Sequence, residues 1–129
     1  MIGEQLLKLI KRTPTSLVQK IDKGFGEIDF MAHYDIIQLL FYHLEKPFSW
    51  SVSEPFDSGD AKEPVAVIGT LLVSVDGEEY QVDGVGSDKD AKKAESDALK
   101  RAAMKIGLGL ELWAGGSYWL DKQLYKETG

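Results

Sequence analysis

Lys100 and Arg101 stand next to each other in the stretch "SDALKRAAMKIGLG", residues 96–109, with Lys105 one turn beyond Arg101. Adjacent residues on a helix point about 100° apart, so the pair flanks one edge of its helix. Cations fixed along an edge suit the gripping of successive phosphates of a strand that runs beside them. The same residues equally suit a solvated helix face laced with Glu/Lys pairs.

The total charge argues against a simple electrostatic binder of nucleic acid, because 129 residues carry a net −6. Its distribution is uneven. Residues 8–23 hold Lys8, Lys11, Arg12, Lys20 and Lys23 against Asp22, a net +4. Residues 89–105 hold Lys89, Lys92, Lys93, Lys100, Arg101 and Lys105 against Asp90, Glu95 and Asp97, a net +3. Set against the total of −6, these two segments leave −13 for everything else. A fold that joined them would carry one basic face on an acidic body.

Other chemistry finds less support. The chain has no cysteine, which excludes disulfides and thiolate metal sites and suits a reducing compartment. His33 and His43 are ten residues apart on one helix, about 280° round its wheel, so they cannot share a metal without further ligands. "GVGS" lacks the Gly-Lys-Ser/Thr ending of a phosphate-binding loop for ATP. Glu78 and Glu79 read as a solvated strand edge. Trp113, Tyr118 and Trp119 could stack on bases, or pack on the sheet or on a neighbouring copy. No enzyme and no cofactor are expected.

The elements that must position the cations follow from periodicity. "EQLLKLIKR" reads as a helix ended by Thr13-Pro14, and "TSLVQKI" as a second short helix stopped by Gly24 and Gly26. "AHYDIIQLLFYHLEK" places Ile36, Ile37, Leu40, Phe41 and Leu44 on one wide buried face, with Pro47 beyond its end. From Phe48 the period becomes two, through Trp50 and Val52. "DSGDAKE" is a loop, and "PVAVIGTLLVSV" is apolar on both faces like a central strand. Asp76-Gly77 is a type I′ hairpin signal leading into "EEYQVDGV". Ser87, with Asp90 three residues on, is expected to open the last helix by a capping box. On that helix Ala91, Ala94, Ala98, Leu99, Ala102 and Ile106 share one side, Lys89, Lys93 and Lys100 lie opposite, and Gly107 and Gly109 end it. The expected class is α+β, one domain over 1–129: N-terminal helices, then a β-β-β-α core with a three-stranded antiparallel meander on a long helix. No apolar run approaches membrane-spanning length and no cleavable leader pattern opens the chain, so no membrane partner is expected.

"DKDAKKAESDALKRAAMKIGLGLELW" resembles the signature helix of the Rad-fifty-two family of single-strand annealing proteins, through Asp97, Ala98, Leu99, Lys100, Arg101, Ala102, Ile106 and Gly107. "FMAHYDIIQLLFYHLEKPFSW", "AVIGTLLVSVDGEEYQVDGVG" and "LDKQLY" are similar to flanking family segments, so the resemblance covers roughly residues 15–125. It implies assembly into an oligomeric ring that holds single-stranded DNA in a basic groove, bases outward, and anneals it without ATP in homologous recombination and DNA repair. Lys100 and Arg101 match the family's groove cations. Lys20 stands where relatives have an arginine from a preceding helical segment, and Lys62 matches a lysine of an outer DNA site. Met104 replaces a third cation of some relatives, with Lys105 beside it as a partial substitute. The short "GVGSDKD" loop, and the lack of a recombinase-binding region within these residues, make the chain most similar to phage or bacterial members. The implied setting is the cytoplasm of a bacterium or phage-infected host, with an exonuclease and a single-strand binding protein as partners.

Two other readings use the same residues. A double-stranded RNA-binding domain also runs α-β-β-β-α and leads from Gly-x-Gly-Ser into a Lys- and Ala-rich helix. There Asp88 and Asp90 at the helix start would repel phosphate. An oligomeric scaffold without nucleic acid would set the basic segments against an acidic neighbouring copy.

Overall fold

Leu6, Leu9 and Ile10 recur at helical spacing, and helix α1 spans Glu4–Ile10 with Leu9 and Ile10 buried. Seven residues supply too few internal bonds to hold a helix in water. Its free N–H groups are met from far along the chain: Asp76 Oδ1 accepts from Gln5 N at 2.9 Å and Oδ2 from Leu6 N at 3.1 Å. Gln5 Oε1 in return accepts from Asp76 N at 2.6 Å. The structure, a computed structural model, describes residues 3–22, 24, 26–44 and 47–128, the side chains of 127 and 128 excepted. Lys23 of the first basic segment lies outside them.

The second expected helix is replaced by a strand. After a 3₁₀ turn at Thr15–Leu17, β1 (Val18–Asp22) pairs antiparallel with β2 (Glu27–Met31), Lys20 opposite Asp29 and Ile21 opposite Ile28. Gly24 and Gly26 take positive φ in the connection, where a side chain would be strained. Lys20 therefore sits on a strand of a two-stranded ribbon.

Helix α2 (His33–His43) buries Ile36 and Leu40, with Leu44 just past its end. Phe41 departs from the expected buried face: it is 59% exposed, its ring 4.9 Å from that of Phe48. Strands β3 (Ser49–Val52), β4 (Phe56–Asp57), β5 (Val65–Val75) and β6 (Glu78–Asp88) form the main sheet. β5 is central as expected, with β6 along one side and β3 and β4 in succession along the other. The turn between β5 and β6 has Asp76 at φ 51° and Gly77 at φ 83°, the positive values a type I′ hairpin requires.

Helix α3 spans Ala91–Lys105. Ser87 does not open it: β6 continues through Asp88, and Asp90 is the N-cap, its carboxylate accepting from Lys93 N at 2.9 Å. Ala94, Ala98 and Ala102 are fully buried against Gly84 and Gly86 of β6, where an added Cβ would overlap the helix backbone. Ala91, by contrast, is exposed. One face of the sheet thus carries α2, α3 and the core of Leu9, Met31, Leu40, Leu71, Val73 and Leu99. The other leaves Ile68, Leu72 and Val85 exposed, so β5 is covered on one face only. Gly107 and Gly109, both at positive φ, turn the chain into α4 (Leu110–Ala114), and α5 (Leu120–Thr128) follows.

The C-terminal segment is tied back to the first. The Tyr118 hydroxyl donates to Ile10 O, Thr13 N donates to Glu111 Oε1, and Tyr125 Oη donates to Leu7 O at 2.9 Å. Arg12 Nε lies 3.3 Å from Asp121 Oδ2, and its guanidinium lies 5.2 Å from the Tyr118 ring centre. The result is an α+β fold with a three-strand-wide antiparallel sheet under helices. Among the described residues no helix is long and apolar enough to cross a membrane.

Candidate nucleic-acid interface

The alanine side of α3 seats the helix on the sheet, so its opposite edge must face outward. The β1–β2 ribbon lies along that edge. Alternation on the ribbon puts Ile21, Ile28 and Phe30 on the face turned to α3, and the two walls enclose a groove of about 390 Å³. Its helix side is Lys92, Lys93, Ser96, Asp97, Lys100 and Arg101. Glu63, Ser87 and Asp88 line it from the sheet end.

Lys100 and Arg101 are both held by aromatic rings. Lys100 Nζ lies 4.9 Å from the Phe30 ring centre, and the Arg101 guanidinium 4.8 Å from that of Trp113. Such contacts fix where a long cationic side chain reaches. Arg101 Nε also lies 3.1 Å from Asp97 Oδ2, which accepts from Ser87 N at 3.1 Å, tying helix to strand. Only Nε is engaged in that pair, so the terminal nitrogens of the guanidinium point their donors elsewhere.

Sequence reasoning did not single out Lys92 as a site residue and saw Lys93 only as part of an outer face. The signal was present: Lys93 precedes Lys100 by seven residues and Lys92 precedes it by eight, two turns on the same edge. The four cations meet three carboxylates in the groove, Glu63, Asp88 and Asp97. Positive charge is thus concentrated along the helix, with the acids at the sheet end and in the Arg101 pair.

The other three expected binding residues lie elsewhere. Lys20 stands on the ribbon face opposite Ile21 and Phe30, with its Nζ 3.5 Å from Asp29 Oδ1 and 3.8 Å from Glu27 Oε2. Lys105 lines a separate cleft with Leu6, Ile10, Tyr80 and Val82. Lys62 is exposed in the loop between β4 and β5, its N donating to Asp60 Oδ1 at 2.8 Å. The aromatic trio divides as well: Tyr118 is buried in the tie to α1, Trp119 is exposed, and Trp113 reaches the interface.

Groups with displaced proton affinity sit away from this groove. Burial, aided by Asp121 and Glu111, pushes the Tyr118 hydroxyl up to about 12. Burial and the nearby Lys8 charge lower His43. Among the described residues, no three His, Asp or Glu side chains gather as a metal site would require. The arrangement can therefore hold an anionic backbone beside apolar and aromatic surface. No family model matches the chain, nor does any curated protein or solved structure.

Proposed function

We propose that the chain is an ATP-independent single-stranded DNA-binding and annealing protein, acting in homologous recombination and repair. The observation that carries this reading is the row of Lys92, Lys93, Lys100 and Arg101 along one edge of α3, facing the ribbon across an open groove. The family resemblance of the Leu99–Ala102 segment points the same way. Contact through phosphates leaves base edges free for pairing with a complement. A few contacts per chain bind weakly alone, and a ring of copies makes them multivalent.

The test is annealing of two complementary fluorescent oligonucleotides without ATP, comparing the natural chain with Lys100→Ala/Arg101→Ala. Acceleration by the natural chain alone supports the reading. No acceleration by the folded natural chain overturns it.

A second reading has one observation in its favour: α2, the three-strand-wide sheet and α3 run in the order of a double-stranded RNA-binding domain. The carboxylate of Asp90, which occupies the first-turn N–H of Lys93, disfavours phosphate at the helix start.

A further inference from the structure

Beside the groove, and sharing Ile28, Phe30, Asp97 and Lys100 with it, lies a more enclosed pocket of about 180 Å³. Its deepest walls are Met31, Ile36 and Leu108, all buried. An apolar cavity of about 150 Å³ accepts one benzene ring, so this one has room for a single planar heterocycle and not for a whole nucleotide. Phe30 and Trp113 supply aromatic surface, and each carries one of the four groove cations on its ring, Lys100 and Arg101 respectively. Asp97 and Lys100 supply the polar side chains, while the Asp29 carboxylate pairs with Lys20 on the ribbon's other face.

We propose that this pocket is a nucleobase subsite, in which one base of a strand held along α3 turns inward onto Phe30 and Trp113. The inference rests on the reading of the groove as a single-strand phosphate site and adds to it a place for a base. A carboxylate only accepts and an ammonium only donates, so the pocket suits a pyrimidine edge that offers an N–H beside a carbonyl, the exocyclic amine of cytosine or the N3–H of thymine. Because Lys100 borders groove and pocket alike, it can meet a phosphate and a base carbonyl of the same nucleotide. The base in the pocket is withheld from pairing while its neighbours stay exposed, so each chain anchors the strand at one position.

The test uses three oligonucleotides of equal length, a deoxycytidine homopolymer, a thymidine homopolymer and an abasic backbone, with binding to the natural chain followed by fluorescence anisotropy. A base–aromatic contact predicts that deoxycytidine and thymidine each bind about tenfold tighter than the abasic strand. Leu112→Trp, which fills the pocket from a wall the groove does not share, should equalise the three while keeping the abasic affinity. Equal binding of all three strands by the natural chain overturns the subsite and leaves the phosphate groove standing. No binding of any strand overturns both. The comparison on the natural chain decides the matter even where the variant fails to fold.

Discussion

Asp97 and Arg101, one helical turn apart on α3, are joined by a 3.1 Å contact between Oδ2 and Nε in the middle of the groove. Both side chains are partly exposed, so the pair adds little to stability. Its larger effect is to lower the positive potential where a phosphate would sit. Asp97→Asn keeps an oxygen for Ser87 N and removes the competing charge. Single-strand affinity should rise roughly two- to fivefold, at a stability cost of about 0.5 kcal/mol. Weaker binding by a folded Asp97→Asn chain would show that the carboxylate positions Arg101 more than it competes.

Salt dependence separates the cations. Each phosphate neutralised contributes about −0.7 to the slope of log affinity against log salt for a single strand. Lys93→Ala and Lys100→Ala should each flatten the slope by about that amount. Lys20→Ala, Lys62→Ala and Lys105→Ala change residues that stand outside the groove, and they should leave the slope nearly unchanged. A loss at Lys20 equal to that at Lys100 would place the strand on the ribbon's other face.

The seat of the helix is equally testable. Gly86→Ala puts a methyl group into the backbone of α3 at Ala94 and Ala98. Backbone cannot step aside as a flexible side chain can, so the change should cost about 3 kcal/mol in urea unfolding. Nucleic-acid binding should weaken with it, because the cationic edge moves with the helix. Unchanged stability would mean that sheet and helix part easily.

Tyr118 sets an alkaline limit. Its hydroxyl donates to the Ile10 carbonyl, and its pKa stands at about 12 against the usual 10. The folded chain therefore keeps a proton that the unfolded chain gives up, and stability is full below pH 10 and falls as pH rises toward 12. Tyr118→Phe strands the Ile10 carbonyl, costs about 1–3 kcal/mol at neutral pH, and should remove this group's share of the alkaline decline. His43 acts at the other end: its lowered pKa means that stability is full above 6.5 and begins to fall as pH drops below it. Thermal melts across pH on both chains check these signs.

Much of this architecture is legible without coordinates. The alanine stripe of α3, the Asp76-Gly77 turn and the switch to period two at Phe48 are local signals, and each gave its element the right type. "TSLVQKI" failed because a short apolar run fits a helix or a strand equally, and its pairing with Glu27–Met31 is set by a partner beyond the turn. Alternation across both runs, Ile21 on one and Ile28 with Phe30 on the other, flanks a Gly-x-Gly and carried the hairpin signal. That misreading hid the groove, since one of its walls is the ribbon. Ser87 was misplaced for a related reason: a capping-box spacing competes with sheet pairing, and eleven residue pairs between β5 and β6 hold Ser87 and Asp88 in the strand. Lys100 and Arg101 were conspicuous by adjacency, whereas Lys92 and Lys93 required the helix edge to be drawn two turns long.

The Asp76 carboxylate that meets the first N–H groups of α1 reaches across 71 positions for Gln5 and 70 for Leu6. A seven-residue helix has little persistence of its own, and its cap exists only once the β5–β6 turn has closed. During synthesis α1 emerges ahead of the β5–β6 hairpin and gains this cap only when the hairpin has followed it. The order in which the chain is made is thus the reverse of the order in which this contact lets it settle, and amide protons of Gln5 and Leu6 become clocks for the completion of the sheet.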